Sequence, residues 1–307
     1  MQQRLATKDD YAMRVNIVVE YISNHLGDEM DLEVLARISS FSPYHFHRIM
    51  KAFLGEPLGA FITRMRVETA ARLLRYSDMS VQDIAYKVGY DVPSSLSKVF
   101  KQFYGITPTE FKINKNYTIM KPLKINTSLE LKQRIVDVQP MQAIYVRLTG
   151  DYEKNDYCLA WHKLWQYVRG AGKFTEEMDK ICESHFKSGI VEQMLKEGKI
   201  AHVGIYYDDP KITESEKLRA DICLVLPFKM EPRGEIGVKE IAGGKYVAFL
   251  YKGSYEQLNE VYDTIYGKYI PEGGFQVDCR PGFEMYMNDP EYTRPADLQT
   301  EIYVPIV

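Results

Sequence analysis

The chain has 307 residues, room for two domains, and its 45% hydrophobic and 26% charged content is ordinary for a globular protein. A net charge of −3 gives no bulk electrostatic case for a nucleic-acid binder, and no run of about eighteen apolar residues offers a membrane span. The start, MQQRLATKDDYAMRV, lacks the apolar centre of a secretion signal, and four scattered cysteines without a CxxC pair predict a reducing, cytoplasmic setting.

Charge and aromatic content are uneven along the chain. Residues 1–115 carry fifteen Lys/Arg against thirteen Asp/Glu, so that part is mildly basic. Most of the twenty-three tyrosines lie beyond it, which predicts a surface or cavity needing aromatic faces with polar tips.

Two copies of one helical unit occupy the first part. LEVLARISSFSPYHFHRIMKAFLGEP, from Leu32, aligns with VQDIAYKVGYDVPSSLSKVFKQFYGITP, from Val81. Leu35 meets Ile84 and Ala36 meets Ala85; after one extra turn residue, Phe46 meets Leu96, Met50 meets Phe100 and Gly55 meets Gly105. Each unit reads as helix, turn, helix. Asp31 and Ser42 are expected N-caps, Ser80 with Asp83 resembles a capping box, and Gly55, Gly89 and Gly105 are helix stops. Off the apolar stripe lie Tyr44, His47, Arg48 and Lys51 in one unit, and Ser94, Ser97, Lys98 and Lys101 in the other. Arg and Lys can read guanine edges or hold phosphates, and Ser can bond either. A single such face is ordinary solvated surface; two in matching places predict a pair of DNA-reading helices.

Between the units, residues 58–76 predict one helix about 28 Å long, comparable with the ~34 Å repeat of the major groove. A strut of that length suits two readers on neighbouring turns of one duplex. Arg64, Arg66, Arg72 and Arg75 lie on or near it, as solvated side chains or phosphate contacts.

Residues 11–115 resemble the DNA-binding domain of the AraC/XylS family of bacterial transcription regulators. LARISSFSPYHFHRIMKAFLGEP, VQDIAYKVGY and VFKQFYGITPTEFK carry the likeness. It implies base contact from Tyr44, His47 and Arg48 in the first reading helix and from Ser94, Ser97 and Lys98 in the second. Lys98 stands where many members carry Arg, so a point charge replaces a bidentate fork, and Pro93 stands where a polar contact is common.

Residues 116–132 read as an irregular linker. A second repeat follows: IYVRLTGDY (144–152) matches VAFLYKGSY (247–255), VGIYYDDP (203–210) matches FEMYMNDP (283–290), and RADICLVLP (219–227) matches QTEIYVPIV (299–307). Each copy reads strand, helix, strand, strand, with helices over 155–169 and 254–269, and residues 173–199 add helical material to the first copy. The expected architecture is multidomain: an all-α double helix-turn-helix domain (1–115), the linker, and an α+β domain (133–307) of two β-α-β-β units. The latter forms one antiparallel sheet curved around a groove, with helices behind it.

FLYKGSYEQLNEVYDTIYGKYI, PGFEMYMNDP and TEIYVPIV make this second part resemble the GyrI-like effector-binding domains of multidrug-responsive regulators. The likeness implies capture of an amphipathic or cationic small molecule, with Glu284 at the acidic contact position and Glu301 a second candidate. A carboxylate among aromatics needs a cation or donor to offset desolvation, although strand alternation can instead turn either Glu to solvent or to an Arg. Tyr145, Trp161, Trp165, Tyr206, Tyr251 and Tyr286 are candidate aromatic contacts or plain core. The expected partners are double-stranded DNA, an effector and RNA polymerase. Some GyrI-like domains hydrolyse reactive small molecules, so an enzyme with Glu284 as general base is the alternative. The histidines lack metal-ligand spacing, and no cofactor, phosphate-loop or GxSxG motif appears.

Overall fold

The computed structural model describes residues 2–114, 117–170 and 200–307. The helix expected within 173–199, with Cys182 and His185, lies outside the described residues. Seven helices form the first part: α1 (Gln2–Asn24), α2 (Leu32–Ile38), α3 (Pro43–Leu54), α4 (Leu58–Tyr76), α5 (Val81–Lys87), α6 (Pro93–Tyr104) and α7 (Pro108–Ile113).

Local chemistry sets their ends. The Asp31 carboxylate accepts from the Glu33 amide at 2.8 Å, and Thr107 with Glu110 closes a complete capping box. Ser42 takes the N-cap position of α3 but makes no side-chain bond. Ser80 accepts from the Asp83 amide, whereas Asp83 takes the Ser80 hydroxyl at 2.6 Å in place of the backbone N–H a full box would use. Gly55 and Gly105 end α3 and α6 at the same left-handed φ of 74°.

The repeat is preserved in packing. Phe46 and Met50 are buried where Leu96 and Phe100 are buried, and α3 and α6 both pack on α4. Phe53 and Phe103, in the last turn of each helix, extend past this core and are 40% and 44% exposed. The α4 arginines differ from expectation. Arg64 pairs with Glu56 and Glu68 at 2.6 and 3.0 Å, and Arg66 donates to the Leu26 and Asp28 carbonyls. Arg72 donates to the Cys279 carbonyl and the buried Arg75 to that of Tyr117. All four are held by the protein because α4 is central to its domain and also faces the second half.

That half is one eight-stranded antiparallel sheet: β1 (Lys132–Val138), β2 (Met141–Thr149), β3 (Ala201–Tyr206), β4 (Arg219–Val225), β5 (Ile236–Ile241), β6 (Gly244–Lys252), β7 (Phe283–Tyr286) and β8 (Gln299–Pro305). The spatial order is β1-β6-β8-β7-β3-β4-β2-β5. Helix α8 (Tyr157–Gly170) lies between β2 and β3 in the chain, and α9 (Leu258–Thr264) lies between β6 and β7, continuing as a π turn over Ile265–Tyr269. Each copy therefore has the expected strand, helix, strand, strand. Each also has a leading strand that the repeat did not reveal: β1 pairs with β6 and β5 with β2, so each leading strand joins the other copy.

Both helices cover one face of the sheet. Leu164 and Val168 of α8 pack on Ile144, Ile222 and Leu224, and Val261 of α9 packs on Val247, Phe249 and Ile302. On the other face Tyr145, Val203, Cys223, Tyr246, Phe283 and Tyr303 form one cluster from six strands, which requires the sheet to curl around them. The irregular residues before β1 are strapped to α9: the Lys124 amide donates to Asp263 and the Asn126 side chain to Glu260.

A dry ionic cluster joins the two halves. Arg147 and Lys239 both hold Asp221, at 2.7 and 2.6 Å, and both reach Glu20 of α1, at 3.3 and 2.8 Å. Burial opposes the Asp221 charge, but Arg147 and Lys239 outweigh it and hold the carboxyl below its ordinary range. Asp221 is fully buried, whereas a fifth of the Glu20 side chain is exposed. Asp221→Asn is expected to cost about 3–5 kcal/mol in urea unfolding, because it leaves two buried cations short of a counter-charge, and Glu20→Gln about 1 kcal/mol. Equal losses would show that the cluster is wet.

Candidate functional site

Helices α3 and α6 present the expected polar faces. His47, Arg48, Lys51, Ser94, Lys98 and Lys101 are exposed. Ser97 is half-buried and donates its hydroxyl to the Pro93 carbonyl at 3.0 Å, leaving the oxygen as an acceptor. The side chain of Tyr44 lies outside the described residues.

The second half holds a cavity of about 1290 Å³ between α8, α9 and strands β3 and β7. It lies on the helix-covered face of the sheet, so the expected groove with helices behind it is corrected. Trp161, Trp165, Tyr206, Glu284 and Tyr286 line it together. Tyr145, Tyr251 and Glu301 do not, and period-two alternation explains two of the three. Register pairs Tyr145 with Cys223, Cys223 with Val203, Val203 with Met285 and Met285 with Glu301, so all point to the opposite face from Glu284. There Glu301 is held by Arg134 at 2.7 Å and by the Tyr303 hydroxyl, also at 2.7 Å. Tyr145 is core, with the Lys239 ammonium 4.3 Å from its ring centre. Tyr251 faces the helices but lies farther along, its hydroxyl donating to Gln257 at 2.8 Å.

Glu284 is 2% exposed. The Tyr286 hydroxyl donates to it at 2.8 Å, the Tyr262 hydroxyl donates as well, and among the described residues no Lys or Arg pairs with it. Burial pushes its carboxyl up to about 7, with the two tyrosine hydroxyls holding it partly down. The Tyr286 and Tyr206 hydroxyls lie 3.0 Å apart, joining equivalent residues of the two repeats. The repeat partner of Glu284 is Gly204, directly opposite it in register. A Cβ there would come within 2.5 Å of the Tyr286 hydroxyl, so glycine leaves room for the group that holds Glu284.

Other wall residues went unmarked in the sequence. His202 accepts from the Trp165 indole at 3.3 Å, and burial pushes its imidazole down to about 4, so it stays neutral. Tyr152 and Tyr255, the repeat-matched pair, both line the cavity, as do Tyr262 and Tyr266 one helical turn apart. Repeat position and helical spacing could have found these four. Arg72 and Tyr76 of α4 also form part of the wall, and nothing local marks them. Among the described residues no cluster of three His, Cys, Asp or Glu could hold a metal ion, and no helix is long and apolar enough to cross a membrane.

Residues 132–307 match the model of the GyrI-like small molecule binding domain, and residues 35–113 match that of a helix-turn-helix domain. The HTH-type transcriptional activator AarP of Providencia stuartii is 30% identical over 100 residues, 33% of this chain and 74% of AarP. The chain belongs to the AraC family, with a GyrI-like second half. The probable transcription factor PqrA of Proteus vulgaris is 30% identical over 102 residues, 33% of this chain and 84% of PqrA. The regulatory protein PocR of Salmonella typhimurium is 37% identical over 100 residues, 32% of this chain, and the chain spans only 33% of PocR.

The Glu284 environment fixes a pH dependence. The ordinary carboxyl value is near 4.5 and the folded value about 7, so the unfolded chain gives up this proton first. Folding is unpenalised below 4.5, loses stability as pH rises through that window, and carries the full penalty above it. Glu284→Gln should therefore stabilise the ligand-free protein by about 2–3 kcal/mol more at pH 8 than at pH 4 in urea unfolding. A pH-independent difference would mean that the carboxylate is well solvated.

Proposed function

We propose that this protein is a sequence-specific DNA-binding transcription regulator whose second half captures an amphipathic cation. Tyr44, His47, Arg48 and Lys51 read DNA from α3, and Ser94, Ser97, Lys98 and Lys101 read it from α6. Glu284 neutralises the ligand's charge, while Trp161, Trp165, Tyr206 and Tyr286 supply the aromatic wall. RNA polymerase is the further partner this reading implies.

The reading is carried by one observation: a carboxylate 2% exposed, with no Lys or Arg paired to it among the described residues, on the wall of a large aromatic cavity. Desolvation there leaves an ionised Glu284 worth most to a cation that enters with apolar surface and ring-facing charge. The hydrolase alternative has less support. The matched relatives bear regulators' names, and two phenolic hydroxyls already occupy the Glu284 carboxylate.

DNA of high affinity, selected from a random pool, tests both parts. Arg48→Ala is expected to weaken binding to the selected site by about 1–3 kcal/mol and to spare random DNA. Equal loss on both would reduce Arg48 to a phosphate contact. Saturating tetraphenylphosphonium is expected to change either affinity for the site or transcription from it; identical values with and without the ion would remove the sensor role.

A further inference from the structure

The cavity wall continues beyond the residues matched by the small-molecule-binding domain, through a track of three tyrosines. The Tyr262 hydroxyl holds Glu284. The Tyr262 ring stacks near Tyr266, with centres 6.4 Å apart and planes 13° from parallel. Tyr266 in turn meets the ring of Tyr76 on α4 at 4.7 Å. The Tyr76 hydroxyl donates to Asp209 at 3.1 Å. Asp209 also accepts from the Lys211 amide at 2.8 Å, and among the described residues no Lys or Arg pairs with it. Two carboxylates with no Lys or Arg paired to them among the described residues thus stand at opposite ends of an aromatic track, one inside the GyrI-like half and one on the seam with the DNA-binding half.

The charge of the cavity favours the same occupant. Among its described wall residues, Asp208 is paired with Arg219 and Asp263 with Lys211. Glu153, Asp209, Glu256, Glu284, Asp289 and Glu291 remain, against Arg72 and Arg169. One guanidinium nitrogen of Arg72 is already engaged, donating to the Cys279 carbonyl at 2.9 Å. A volume of about 1290 Å³ exceeds the usual range for one drug-sized ligand.

We propose that the cavity is a two-station site for elongated dications, with one cation at Glu284 and the other at Asp209 and Tyr76, where the ligand touches α4 directly. This rests on the cationic-effector reading above. Tyrosine faces between the stations would carry the apolar connector, and the second cation would lie against the rings of Tyr76 and Tyr266.

The test compares dequalinium, two aminoquinaldinium cations joined by a decamethylene chain, with its half-molecule, 1-decyl-4-aminoquinaldinium, using the full chain and calorimetry. Wild type should bind dequalinium about tenfold or more tightly than the half-molecule. Asp209→Asn, close to isosteric, and Tyr76→Leu should collapse that ratio towards one, whereas Glu284→Gln should weaken both ions. Thermal melting of each variant confirms folding, and Tyr76→Phe, which keeps the ring, should retain part of the ratio. Equal binding of the two ions by wild type, or an unchanged ratio in Asp209→Asn, overturns the second station and leaves the single-cation reading intact. Failure of wild type to bind either ion overturns both.

Discussion

Burying a carboxylate without a cation costs several kcal/mol unless donors or a ligand offset it. Among the described residues of the second half, Asp208, Asp221, Asp263, Glu284 and Glu301 are buried, and three of them show the range of answers to this constraint. Asp221 receives Arg147 and Lys239, and Glu301 receives Arg134. Among the described residues Glu284 receives only phenolic hydroxyls, which hold the charge in place without neutralising it. Asp221 and Glu301 are repeat equivalents on β4 and β8, and each is met by an Arg, although the two arginines come from non-equivalent strands, β2 and β1. At Glu284 the symmetry breaks, because its counterpart is Gly204. The missing side chain makes room for the Tyr206 and Tyr286 hydroxyls, and the single acid is left facing the cavity.

The same contrast distinguishes two parts of the seam. The Glu20 cluster is filled with matched charges, and removing any buried member leaves another exposed to desolvation. Elsewhere on the seam, Ile212 of the second half is buried in the core of the second helix pair, and Arg219 lies 5.7 Å from the Phe61 ring of α4. Towards the cavity the seam is made by polar and ring contacts: Tyr76 to Asp209, Tyr76 against Tyr266, and Arg72 to one carbonyl. That edge can be altered by an occupant because the occupant can replace what the edge already provides, namely a donor and a ring face.

Much of this was legible from local pattern. Repeats exposed both helix-turn-helix pairs and both β-α-β-β copies, since equivalent positions must bury equivalent side chains. The Glu284 position was implied by the resemblance to GyrI-like domains, and its aromatic neighbours on the strand supplied the chemistry. What failed was long-range. Glu301 and Tyr145 look similar to Glu284 and Tyr286 in sequence, but register sends them to the other face, and register is set by pairing across five strands. The leading strands β1 and β5 escaped because each pairs with the other copy and carries no matching motif. Arg66, Arg72 and Arg75 of α4 read as surface because their partners, from Leu26 to Cys279, lie far off in the chain, whereas Arg64 pairs locally with Glu56 and Glu68. Tyr76 carried no sign of a cavity for the same reason.

These contacts also limit how occupancy could reach DNA. A ligand shifts an equilibrium only by binding its states unequally, so a regulator needs an element that both sites touch. The Glu20 cluster is less suited: its charges are already matched, and it reaches the cavity only through Tyr207, whose hydroxyl donates to Asp221. The sheet core cannot serve, since its apolar cluster lies on the face away from Glu284. Helix α4 meets the requirement. Its last turn borders the cavity through Arg72 and Tyr76, and α3 and α6 pack against its length. A displacement at Tyr76 would therefore act on the helix against which α3 and α6 both pack, without having to cross the dry part of the seam.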